Sequence, residues 1–97
     1  MDRKIPCVYL ITNKPHGTLY IGVTSDLPTR IWNHKQRLAE GFAKRHGLDR
    51  LVWYETHDSM DDAILKEKQM KKWNRAWKVD LIREMNPRWR DLYEELA

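Results

Sequence analysis

The chain has 97 residues, enough for one domain with a single modest core. A third of its residues are charged and its formal net charge is +4, a balance that suits a polyanionic partner. One cysteine excludes an internal disulfide framework and a cysteine-built zinc cluster, and no apolar run approaches the ~20 residues of a membrane span.

The single cysteine makes a reducing cytoplasm the expected location, and in chain order Met1 to Pro6 carry no apolar stretch of signal-peptide type. Cys7 to Thr12 are β-branched and aromatic and read as a strand. Asn13-Lys14-Pro15-His16-Gly17 read as a turn, and Thr18 to Val23 as a second strand. A loop over Asn13 to His16 pairs Thr12 with Gly17 and sets Tyr9 directly opposite Tyr20. Two phenols would then stand on one face. Gly22 lies on the same face and offers no side chain, so a ligand or another backbone can come close.

Ser25 or Asp26 caps a helix that tolerates Pro28 in its first turn. Leu27, Ile31 and Leu38 form its apolar stripe. Arg30, His34 and Arg37 form a second stripe beside it, placing a permanent cation one turn from a titratable imidazole. Glu40-Gly41 end this pattern, and Phe42 to Gly47 read as a basic, solvent-facing loop. Leu51 to Glu55 read as a third strand.

Ser59-Met60-Asp61-Asp62 resemble a capping box and open another helix. Met60, Ala63, Met70 and Trp77 mark its apolar face, with Ile64 at the edge. Glu67 sits inside that face, and Asn74 joins it if the helix runs on. An ionised carboxylate buried without a partner costs several kcal/mol, so an arginine, a metal or cleft water is required there. Lys68, Lys71, Lys72, Arg75 and Lys78 make a basic flank beside it. Asn86-Pro87 break the pattern, and Pro87 to Leu96 form a last amphipathic helix with Trp89, Leu92, Tyr93 and Leu96 turned inward. The expected fold is α+β, a small three-stranded antiparallel sheet covered by helices.

Each candidate has a plain structural counterpart. Tyr9 and Tyr20 read equally as a cross-strand aromatic pair, and Gly22 as a bulge. Arg30, His34 and Arg37 read as surface side chains, Asn74 as a cap, and Glu67 as the partner of Lys71 at i+4. The five tryptophans read as packing residues, with base stacking by Trp73 or Trp77 as the alternative.

The spaced set Cys7-Val8-Tyr9, Tyr20-Ile21-Gly22, Arg30 and His34 on a helix, and Glu67 on a lysine-rich helix resembles the GIY-YIG nuclease superfamily. The likeness extends over nearly the whole chain and is closest to small stand-alone bacterial members. Cys7 stands where the name-giving glycine does. Val23 replaces a lysine that some members carry, and Asn74 follows Glu67 more closely than the family's asparagine does.

The resemblance implies a metal-dependent endonuclease hydrolysing phosphodiester bonds, with DNA ahead of RNA and a structure-specific target in repair or recombination. Glu67 would be the one protein ligand of a single Mg²⁺ or Mn²⁺, and Arg30 would face the phosphate. The family credits proton removal from water to a tyrosine. A free phenol titrates near pH ~10, so Tyr9 or Tyr20 needs help, and His34 is a third candidate for the base. Gly22 completes the implied catalytic set. Arg37, Lys68, Lys71, Lys72, Arg75 and Lys78 would hold the nucleic acid, with Asn74 a further site candidate. The competing readings are a non-catalytic nucleic-acid-binding module and a structural or partner-binding protein.

Overall fold

The computed structural model describes residues 4–38 and 41–96. The sheet has three strands, β1 (Cys7–Thr12), β2 (Leu19–Thr24) and β3 (Arg50–Thr56), in the order β2-β1-β3 with both pairings antiparallel. Helices α1 (Leu27–Lys35), α2 (Phe42–Arg45), α3 (Met60–Lys71) and α4 (Arg75–Met85) surround it, and a 3-10 turn closes the chain at Leu92–Leu96. The α+β expectation therefore holds. Among the described residues, no helix is long and apolar enough to cross a membrane.

All six residues of β1 are buried, as its near-continuous apolar run requires of a central strand covered on both faces. Cys7, Tyr9 and Ile11 pack on one face against Leu27 and Ile31 of α1, Ala43 of α2, and Leu92. Val8 and Leu10 pack on the other against Ala63 and Met70 of α3, Ile82 of α4, and Trp89. A bulge interrupts the β1–β3 ladder. Leu10 pairs with Trp53 and Ile11 with Leu51, which leaves Val52 as the extra residue.

The hairpin register differs from the expected one by two residues. Tyr9 pairs with Gly22 and Ile11 with Tyr20, because the loop runs from Asn13 through Thr18. The Asn13 side chain organises that loop, its Oδ1 accepting from the Thr18 N–H at 3.2 Å, while Gly17 N–H donates to Lys14 O at 2.9 Å. A Cβ at Gly17 would collide with that same Asn13 Oδ1, so Gly17 belongs to the loop and not to the strand. A slip of two preserves the faces, and Tyr9 and Tyr20 still project from the same side.

Asp26 is the cap of α1, accepting from Thr29 N–H at 3.4 Å. The helix stops at Lys35 in a Schellman arrangement: Leu38 N–H reaches Asn33 O at 2.9 Å and Arg37 N–H reaches His34 O at 3.1 Å. Arg37 occupies the left-handed position of this motif with φ 59°. Consequently Arg37 and Leu38 leave the helical stripes to which their spacing assigned them, and Leu38 is exposed. Of the Glu40-Gly41 boundary, Glu40 lies outside the described residues, and Gly41 has φ 103°.

Three further expectations are corrected. Phe42 to Arg45 are helical, with Ala43 turned into the core, so this stretch is more than a basic loop. The Glu67 helix ends at Lys71, and a new one begins at Arg75, capped by Asn74 Oδ1 accepting from Trp77 N–H at 3.0 Å. Trp77 thus lies on α4 and is exposed, as is Trp32 on α1. The C-terminal segment is a turn followed by the 3-10 element, anchored by the buried Asn86 amide on Val52 O and Arg90 O. Trp89 and Leu92 are buried there, as their pattern implied.

Candidate active site

The hairpin and α1 bring together a line of rings that runs from the core to the surface. Tyr9 is fully buried, and its Oη lies 3.0 Å from Nε2 of the buried His34. The His34 ring is 6.2 Å from that of Tyr20, edge to face. Tyr20 in turn lies nearly parallel to Phe42 at 6.3 Å, and Phe42 contacts His46 at 4.2 Å. Gly22 is what allows the inner end of this line to exist. A Cβ there would sit 2.8 Å from Cε2 of Tyr9 and closer still to Cζ and Oη.

Burial and charge set the protonation of the inner pair. Burial pushes the Tyr9 phenol up to about 12, although the nearby Arg30 guanidinium pulls the other way. Burial also holds His34 below its ordinary range, assisted by Arg30 and opposed by Asp49. Both groups are therefore neutral at pH 7, and a single proton lies between Tyr9 Oη and His34 Nε2.

Glu67 arrives from the opposite layer of the sheet, on α3, which packs against β2 and β1. Its charge is felt at Tyr9, where it opposes ionisation of the phenol. Glu67 is 9% exposed, and its Oε2 accepts from Lys71 Nζ at 2.8 Å. The sequence left open whether a lysine or a metal compensates Glu67, and in this structure the lysine does so. Lys71 is more than half exposed, and an i,i+4 pair with such a partner contributes only about 0.3–0.5 kcal/mol. The ammonium therefore gives up little when another cation takes its place, whereas the carboxylate left alone would be costly.

Among the described residues no cluster of three His, Cys, Asp or Glu stands together. One carboxylate at a cleft edge does not fit a closed zinc-type cage. It does fit a hard divalent ion, which keeps several waters and completes its shell with substrate phosphate oxygens.

The remaining candidates divide. Arg30 is exposed on α1 beside the Tyr9–His34 pair. Arg37 has turned away and pairs with Asp49 at 3.1 Å. Asn74 is occupied as the cap of α4. The basic flank is split between two helices, with Lys68, Lys71 and Lys72 at the end of α3 and Arg75 and Lys78 on α4. Arg75 donates to the His16 and Gly17 carbonyls at 3.0 and 2.7 Å, so it clamps the hairpin loop. With Lys78, Thr18 and Leu19 it lines a shallow groove of about 300 Å³. A larger cleft, about 470 Å³, lies at the other end of β1 between Lys4, Asp26, Tyr54 and Leu96 and contains none of the site residues. Cys7 borders that cleft, its thiol pushed up to about 11 by burial and Glu55, which makes it unreactive.

Sequence reasoning missed three contributors. Phe42 and His46 extend the ring line, and their i,i+4 spacing was the available signal. Lys35, adjacent to His34, bonds to Asp91 and to Asp49 O, and Asp91 also accepts from the Leu51 and Tyr93 N–H groups. This ties the end of α1 to β3 and the C-terminal turn, fixing where His34 stands. Partners so far apart in sequence leave no local signal.

Comparison with known proteins identifies the family. The GIY-YIG catalytic domain model matches residues 5–80. A UPF0213 protein of Staphylococcus saprophyticus is 30% identical over 77 residues, covering 79% of this chain and 93% of its own length. UPF0213 proteins of Staphylococcus epidermidis and Staphylococcus aureus are each 28% identical over 68 residues, covering 70% of this chain and 83% of their own. These names record neither substrate nor metal. No solved structure matches the chain. With the paired tyrosine motifs, the helix-borne arginine and histidine, and the glutamate all within the matched span, the chain belongs to the GIY-YIG catalytic domain family, a superfamily of nucleases.

Proposed function

We propose that this protein is a metal-dependent endonuclease that hydrolyses phosphodiester bonds in nucleic acid, with DNA preferred to RNA and Mg²⁺ or Mn²⁺ as its ion. The observation that carries the reading is the buried Tyr9–His34 hydrogen bond set between an exposed arginine, a half-buried second tyrosine and a carboxylate from the opposite layer. A structural aromatic pair requires none of those three neighbours.

Tyr20 is the phenol that meets the attacking water. Tyr9 has no exposed surface, and His34 is buried, whereas Tyr20 is only partly covered. Tyr9 and His34 then serve as a positioning pair, holding the Tyr20 ring from behind. Arg30 faces the phosphate and stabilises the charge that builds on its oxygens. Glu67 would hold the ion, in place of its bond to Lys71. When bound, the ion supplies charge stabilisation at the leaving oxygen. Lys68, Lys72 and Lys78 contribute attraction to the backbone.

The Lys71–Glu67 pair is also what a non-catalytic binding module would display. A panel of branched, nicked, single-stranded and duplex DNA, with and without Mg²⁺, separates the two readings. Cleavage that requires Mg²⁺ and disappears in Glu67→Gln, while DNA binding persists, is the expected result. Binding without cleavage of any substrate would leave the binding-module reading in its place.

A further inference from the structure

We propose that Tyr20, Phe42 and His46 form a stacking platform for one unpaired nucleobase beside the scissile phosphate, so that the substrate is nucleic acid with an unpaired nucleotide at the cleavage position. This deepens the nuclease reading and rests on it.

Four observations support the platform. Phe42 is 39% exposed although it opens a helix whose neighbouring Ala43 is buried, so the fold places the small residue inward and leaves the ring outside. The exposed ring is ordered by others on both sides of it in the line, Tyr20 at 6.3 Å with planes 16° apart and His46 at 4.2 Å. An isolated surface phenylalanine would need no explanation, but Phe42 and His46 continue a run of ring contacts that leads outward from Tyr20. The charge is also right. Arg45 lies on the same short helix, between Phe42 and His46 in sequence, and would supply the positive margin that a nucleotide's phosphate requires.

The occupant follows from geometry and chemistry. Bases within a duplex already stack on their neighbours at about 3.4 Å and expose only their edges, so a ring at the surface cannot reach their faces. An unpaired base offers a free face, and aromatic stacking accepts it without regard to its identity. Because the platform begins at Tyr20, the captured base belongs to a nucleotide adjoining the phosphate held by Arg30 and Glu67. Selection is then for unpaired structure rather than sequence.

The test uses 2-aminopurine placed in turn at each position of a single-stranded gap in duplex DNA, bound to the full-length protein in EDTA. Fluorescence should be quenched at one position, and both Phe42→Leu and His46→Ala should reduce that quench, while Phe42→Trp retains it. Affinity for the gapped DNA should fall by roughly 5- to 150-fold in Phe42→Leu, the span of one base–aromatic stack, with duplex affinity little changed. With Mg²⁺ present, the same variant should lose its preference for gapped over fully paired DNA.

Absence of quenching at every position, or quenching insensitive to both substitutions, overturns the platform even if the protein cuts DNA. Position-specific quenching without cleavage of any substrate retains the platform and removes the nuclease reading. His46 is exposed, so His46→Ala keeps the test open should Phe42→Leu fold poorly.

Discussion

Tyr9 and Gly22 face each other across the β1–β2 ladder, and the phenol lies in the volume that any side chain at position 22 would claim. The motif glycine is therefore a packing requirement of the motif tyrosine. Gly22→Ala should displace the Tyr9 ring, weaken its bond to His34 and lower stability by about 1–3 kcal/mol, as overpacking of a full core does. Urea melts measure the cost. In a Tyr9→Ala background most of it should vanish, because the colliding atoms are gone. An undiminished cost there would mean that backbone conformation, not Tyr9, demands the glycine.

The buried His34–Tyr9 pair should give stability a pH dependence at both ends. His34 has a folded-state pKa held below the usual 6.5, so its contribution is present above pH ~6.5 and is lost as pH falls through the folded value. Tyr9 has a folded-state pKa near 12, above the usual 10, so its contribution is present below pH ~10 and is lost as pH rises toward 12. Thermal melts of His34→Gln should lack the acid decline that the wild type shows. Tyr9→Phe should abolish the phenolate absorbance step near pH 12 and cost about 1–3 kcal/mol, since it leaves His34 Nε2 buried without its partner.

Glu67 and Lys71 make a prediction about stability distinct from activity. Glu67→Gln leaves Lys71 in contact with water, so stability should change by less than about 1 kcal/mol even if cleavage is lost. Lys71→Met removes the cation that competes for Oε2. Mn²⁺ binding, followed by electron paramagnetic resonance, should tighten in this variant and be abolished in Glu67→Gln. Equal Mn²⁺ affinity in all three proteins would exclude Glu67 as a ligand.

DNA binding should weaken steeply with salt, and charge reversal at Lys68 or Lys72 should reduce both affinity and the salt slope for every sequence alike. Arg75→Glu is expected to do more. It also releases the hairpin loop by removing the bonds to the His16 and Gly17 carbonyls. Affinity measured by fluorescence anisotropy at several salt concentrations, beside a thermal melt of each variant, distinguishes the two effects.

The elements were largely legible because local physics writes them locally. The unbroken apolar run of β1 announced a strand covered on both faces, and Ser59, Asp26 and Asn86-Pro87 marked helix ends by their capping and breaking chemistry. Glu67 stood out because a carboxylate on an apolar stripe is costly. The register was not legible. It depended on the Asn13 side chain folding the loop over Gly17, and no strand propensity reports that contact. Helix lengths were overread for the same kind of reason: Arg37 takes a left-handed φ that glycine usually supplies, and Asn74 restarts a helix that periodicity alone would continue.

By itself, then, the sequence supplied the candidate set: two tyrosines, a glycine, an arginine, a histidine and a glutamate at spacings that a hairpin and two helices can bring together. Only the tertiary structure decided how these residues are buried and partnered. It buried Tyr9 against His34, left Tyr20 partly open, turned Arg37 toward Asp49, gave Glu67 a lysine partner and carried the ring line out to Phe42. The physical reason is that spacing fixes which face a residue occupies, whereas burial and partner choice depend on what the other layer of the sheet brings to that face.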